Sequence, residues 1–173
     1  TSVPDPARPG ELRPKELVHA ERMSRWLVEL DPDADDAQLL AARAHHFRRW
    51  TSPRSAYPDG RAGYLRWRRD ARARHVAEVD ELLATHGVDE AVRRDVAAIV
   101  GKEHLRTDPR CQTHEDALCI VFFELQGRDT AAQLGEKALD VVRKTLAKMS
   151  PAGRAALDRA DLDPAVRAAI AQA

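Results

Sequence analysis

Seven histidines stand at positions 19, 45, 46, 75, 86, 104 and 114 of the 173-residue chain. Five fall on four successive helix-patterned segments: His19 on the first, the adjacent pair His45 and His46 on the second, His75 on the third, His104 at the end of the fourth. Asp116 opens the fifth. Imidazoles and a carboxylate supplied by separate helices of a bundle are a common way to hold a transition metal. His19, His45, His46, His75, His104 and Asp116 are therefore the candidate ligands of a divalent ion: zinc, manganese, iron or nickel. The simplest set is mononuclear: His19, one of the pair, His104 and Asp116. Adjacent residues on a helix point about 100° apart, so one of His45 and His46 is expected to bind the ion and the other to contact substrate or a ligand. His86, just before Gly87 at a helix end, suits the helix dipole. His114, in a first helical turn, is expected to face solvent.

The second chemical signal is charge. Residues 43–75 hold ten arginines against Asp59 and Asp70, a local charge of +8 in a chain whose formal net charge is +0. The same stretch carries Phe47, Trp50, Tyr57, Tyr64 and Trp67, so a specific anionic partner is implied rather than a general polyanion coat. Within "RRWTSPRSAYPDGRAGYLRWRR", a Pro/Gly loop presents Arg49, Arg54, Arg61 and Arg68 beside the candidate ligands. Guanidinium forks match phosphate or carboxylate, and Trp50, Tyr64 or Trp67 can stack on a ring. Lys102 in "KEH" can neutralise a phosphate, and Glu115 in "HED" can serve as general base. No Ser or Cys nucleophile constellation and no Gly-rich phosphate loop is present.

These side chains need a scaffold. Pro4, Pro6, Pro9 and Pro14 make residues 1–14 an extended lead-in. From Lys15 the apolar spacing predicts helices over about 15–30, 36–50, 64–86 and 89–104. A fifth follows with Thr113 as its N-cap, then "TAAQLGEKALDVVRKTLAKMS" and a short "DPAVRAAIAQ". Residues 15–173 read as one all-α bundle of five to seven helices. No run of about 18 apolar residues suggests a membrane span. Cys111 and Cys119 are expected as reduced thiols of a cytoplasmic protein.

The order of the histidines resembles the His-Asp (HD) metal-dependent phosphohydrolase superfamily. "VHAERMSRWLVEL", "AARAHH", "RHVAEVDELLATHGVDEAVRRDVAAIVGKEH" and "THEDALCIVFFEL" occupy the places of its helix-borne histidine, His-Asp pair, later histidines and late aspartate. That resemblance implies an HD-like bundle with metal-activated hydrolysis; His46 stands where the superfamily has an aspartate able to bridge two ions. A closer resemblance is to domain of unknown function family 4202, on "PKELVHAERM", "AARAHHFRRW", "PRSAYPDGRAGYLRWR", "EDALCIVFFE" and "RKTLAKMS". The expected activity is hydrolysis of a small anionic substrate, a phosphate ester or nucleotide. The alternatives are an HD-type iron oxygenase, which His46 disfavours, and a metal-free module binding RNA or another anion through residues 48–69.

Overall fold

A computed structural model describes residues 2–5, 8–127 and 137–173. The proline-rich lead-in pairs with itself: β1 (Ser2–Asp5) and β2 (Arg8–Pro14) form an antiparallel hairpin, Ser2 opposite Pro14 and Pro4 opposite Leu12. Both strands are edges, where a proline removes no ladder bond that a third strand would need. Arg13 ties the hairpin to the bundle by a two-pronged contact with Glu21, at 2.8 and 2.7 Å.

The helix α1 (Lys15–Leu30) buries Val18, His19, Met23, Trp26 and Leu27, a stripe at spacings of three and four. Asp31 ends it, and Asp35 with Gln38 forms a reciprocal capping box that starts α2 (Asp36–Arg43). The long α3 (Gly60–Thr85) has little amphipathic character. Its second half packs Val76, Val79 and Leu83 on α4 (Glu90–Gly101), while its first half is largely solvent-lined. Asp108 caps α5 (Pro109–Leu125), the central and most buried helix. α6 (Lys137–Leu146), α7 (Pro151–Ala156) and α8 (Pro164–Ala171) close the bundle.

Two apolar clusters result. One joins α1, α5 and the C-terminal helices through Trp26, Ile120, Phe123 and Leu157; the other joins α2, α3 and α4 through Val79, Val96 and Ile99. Helix α2 gives Ala42 to the first and Ala37 and Ala41 to the second, so its C-terminal end emerges between them. The chain is thus an all-α, single-domain bundle, with the hairpin as its one departure among the described residues. The part of the predicted sixth segment at 130–136 lies outside those residues. Both cysteines are buried free thiols. Among the described residues no helix is long and apolar enough to cross a membrane.

Candidate metal centre and its cavity

Helix α2 stops at Arg43, short of the histidine pair that the sequence placed on it. The chain leaves by tight turns in which His46 and Arg48 adopt left-handed backbone, φ 63° and 50°. Each such non-glycine residue costs on the order of 1 kcal/mol. The consequence is that the two imidazoles face each other, ring centroids 4.2 Å apart and planes 24° from parallel. His19, 1% exposed on α1, brings its ring within 4.6 Å of His46 and 6.3 Å of His45. One ring nitrogen from each of the three lies within 4.8 Å of the other two. The 100° divergence expected on a helix does not apply, because these residues are not on one.

Two further histidines surround the trio. His114 is buried, 4% exposed, with its ring edge-to-face to His45 at 6.0 Å. Its expected solvent position is corrected by the start of α5: Asp108 is the cap and Pro109 the first residue, so His114 lies a turn into the helix beside buried Ala117 and Val121. His75 on α3 donates its Nε2–H to the Ala44 carbonyl at 2.9 Å, which leaves Nδ1 with the lone pair. Gln126 places its amide 3.4 Å from His19 Nε2.

Burial governs the charge of this cluster. Desolvation, then the Lys15 charge, lowers His19 to about 4. Desolvation, then Arg49, lowers His46 to about 2. Desolvation, then Lys102, lowers His114 to about 3, and His45 is pushed well below its ordinary value by burial and then by His46. All four are neutral at physiological pH, the form that binds metal. His19 Nδ1, His45 Nε2 and His114 Nδ1 are buried with no hydrogen-bond partner. A buried nitrogen left bare in this way costs about 1–3 kcal/mol.

The pair opens onto a cavity of about 540 Å³ bounded by the turns after α2, one face of α3, and α5 and α6. Its α3 wall runs from Glu78 and His75 through Arg72 and Arg68 to Tyr64, residues three or four apart and hence on one side of the helix. The Arg49 guanidinium sits over the Trp67 ring at 5.4 Å and Arg68 over Tyr64 at 5.7 Å. Trp67 donates its Nε1–H to the Ser52 carbonyl at 2.9 Å, fixing the turns against α3. On the opposite wall Lys102 pairs with the buried Glu115 carboxylate. Lys102 reaches it from a left-handed backbone, φ 56°, at the end of α4.

The sequence-derived residues divide accordingly. His19, His45 and His46 come together; His75, Lys102, Glu115, Arg49, Tyr64 and Arg68 line the cavity. His104 does not join them: α4 ends at Gly101, and His104 is exposed in the turn that follows. Asp116 is buried but saturated elsewhere. Its carboxylate accepts from Ser150 N at 2.8 Å, Ser150 Oγ at 2.5 Å and Gln112 Nε2 at 3.0 Å, pinning α5 to α7. Arg54 is a strut, donating to the Tyr57 and Pro58 carbonyls at 2.8 Å. Trp50 and Arg61 are exposed and outside the cavity lining. Sequence reasoning missed His114 and Gln126. The spacing 114, 117, 121 along α5, all buried, was the available signal for the first.

Fold and site together define a small helical protein with a cavity lined by neutral histidines and by guanidinium groups. The chain belongs to the family described as Domain of unknown function (DUF4202), whose profile matches residues 3–170. No curated protein and no solved structure matches it.

Proposed function

We propose that the chain is a cytoplasmic hydrolase of a small anionic substrate, a phosphate ester or nucleotide, that works with one divalent transition ion held by His19, His45 and His46. The observation that carries this reading is the convergence of three neutral imidazoles, two with bare buried nitrogens, at the wall of a basic cavity. Nitrogens within 4.8 Å of one another need only modest side-chain rotation to reach the about 2.0–2.1 Å bonds of such a site. An all-imidazole set suits zinc, iron or nickel and suits manganese least. Among the described residues neighbouring carboxylates are committed, Glu115 to Lys102 and Asp116 to Ser150, which favours one ion over a bridged pair and disfavours the two-iron oxygenase.

A bound ion supplies Lewis acidity and lowers the pKa of water beside the substrate. The rest is work for the chain. Arg49 and Arg68, already seated on aromatic rings, hold the anion by their outward N–H groups. Tyr64 and Trp67, with centroids 5.9 Å apart, offer a surface for a base or sugar. Glu115 is the general base for the attacking water, and its contact with Lys102 holds the carboxylate in place. The resemblance of His19 and the His45–His46 pair to the opening motifs of the His-Asp phosphohydrolases supports the same chemistry by analogy, whereas His104 and Asp116 lie apart from them.

The test is metal content and hydrolysis measured side by side. Protein prepared without chelator, and the exposed control His104→Ala, should each hold about one ion per chain. His45→Ala and His46→Ala should lose it, and phosphomonoesterase activity should vanish with chelator and return with the ion. Protein that binds no ion after reconstitution, or hydrolysis untouched by His46→Ala, overturns the reading.

A further inference from the structure

The basic wall of the cavity continues past its rim. On α3, residues 61, 64, 65, 68 and 72 share one face by helical spacing. Tyr64, Arg68 and Arg72 line the cavity, while Arg61 and Leu65 lie exposed beyond it. At the rim two guanidinium groups flank a pair of rings in the order Arg49, Trp67, Tyr64, Arg68, with each neighbour 5.4–5.9 Å from the next. Trp50, next to Arg49 on the turns that Trp67 anchors, is 64% exposed, and Tyr64 is 44% exposed. Charge here is only partly cancelled. Arg48 pairs with Glu78, and Arg66 and Arg69 share Asp70, but Arg49, Arg61, Arg68 and Arg72 make no ion pair among the described residues.

We propose that this face binds a single-stranded nucleic acid, its bases stacked on Trp50 and Tyr64 and its phosphates on Arg61, Arg68 and Arg72. Charge complementarity selects a polyanion, and the spaced, exposed rings select one whose bases are unpaired, because a duplex hides the faces that would stack. An acidic protein surface would pair with the arginines but presents few planar groups at the spacing of the rings, whereas a single strand supplies one at every nucleotide. An anionic membrane would need a continuous apolar stripe, and the exposed apolar residues of this face are interrupted by arginines at every turn. The strand's end then points along the α3 wall toward His45 and His46; that extension rests on the proposed hydrolysis, whereas binding itself does not require the ion.

The test is fluorescence anisotropy of labelled oligonucleotides of about 12 nucleotides, RNA and DNA in separate arms, in the presence of chelator. Binding should weaken with salt at a log–log slope of about −2, as expected for three phosphates at about −0.7 each. Trp50→Ala and Arg61→Glu, both outside the cavity, should each weaken binding by roughly tenfold. Either sugar supports the proposal, and the arms show which is preferred. No binding at low salt, equal affinity for a blunt duplex, affinity unchanged in both variants, or capture by anionic vesicles in place of oligonucleotide overturns it. Because chelator is present, failure here leaves the metal and hydrolysis measurements to stand on their own.

Discussion

Burying four imidazoles in one cluster makes the fold sensitive to mild acid, and the size of the effect follows from their shifts. His19 is lowered to about 4, His114 to about 3 and His46 to about 2, while His45 lies well below its ordinary value, in each case chiefly by desolvation. In the unfolded chain all four titrate near 6.5. Between about pH 6.5 and pH 4 the unfolded state therefore binds protons that the folded state refuses, and stability rises with pH across that window. The contribution is fully present above about pH 6.5 and is lost as pH falls toward the folded values. At about pH 5.5 each histidine held neutral costs about 1.4 kcal/mol, and four of them at most about 5.6 kcal/mol, against a total stability of about 5–15 kcal/mol for a domain. His75, lowered for the same reason, acts in the same direction. Urea midpoints measured in chelator at about pH 7.5 and about pH 5.5 read this directly. In the unfolded chain carboxylates titrate at about 4, below this window, whereas histidine titrates within it. His114→Asn should reduce the acid-induced loss by about a quarter, since one of four such groups is removed. A midpoint that is flat or rises between those pH values would show that the cluster is not buried and neutral as described.

Asp116→Asn should cost about 2–3 kcal/mol, because the amide cannot accept from Ser150 and Gln112 on both atoms, yet leave metal content unchanged. Urea unfolding and metal analysis of one preparation separate the two effects. Gly63→Ala should destabilise by about 2 kcal/mol or more although helix propensity alone favours alanine by about 1 kcal/mol. The added Cβ would overlap the Pro58 carbonyl, the same group that Arg54 holds. Cys119, its thiol pushed up to about 12 by burial first and the Glu115 charge second, should resist iodoacetamide in the folded protein and react after unfolding; mass spectrometry of the labelled peptide decides.

The helical scaffold was legible because its signals are local. Pro14 before Lys15, the Asp35/Gln38 box and Gly87 after α3 mark helix ends in the sequence itself. The histidine cluster was legible in membership but not in geometry. "AARAHHFRRW" has the composition of a helix, and nothing in it announces left-handed backbone at His46 and Arg48, since neither is glycine or asparagine. The turns that contain it are held from a distance in sequence, by Trp67 and Arg74 of α3 donating to the Ser52 and Thr51 carbonyls. His104 and Asp116 were assigned by order along the chain, and order does not fix where a helix stops. Helix α4 ends at Gly101, three residues before His104. For α5 the start was readable: Asp108-Pro109 is a stronger beginning than Thr113, and reading it so turns His114 inward.

The proposed ligand role would account for an energetic cost that the cluster carries. Three buried ring nitrogens lack partners and two non-glycine residues beside them hold left-handed backbone, so the wall of the cavity carries several kcal/mol of local penalty. A leucine or phenylalanine at 19 or 45 would remove the bare nitrogens, so stability alone would favour an apolar residue there. The arginines show the same asymmetry. Arg54 and Arg74 spend their donors on backbone carbonyls, as structural arginines do, whereas Arg49 and Arg68 rest on aromatic faces with their N–H groups uncommitted among the described residues. Under the proposed hydrolase reading, the bare imidazole nitrogens would take the ion and the unspent guanidinium donors of Arg49 and Arg68 the anion beside it.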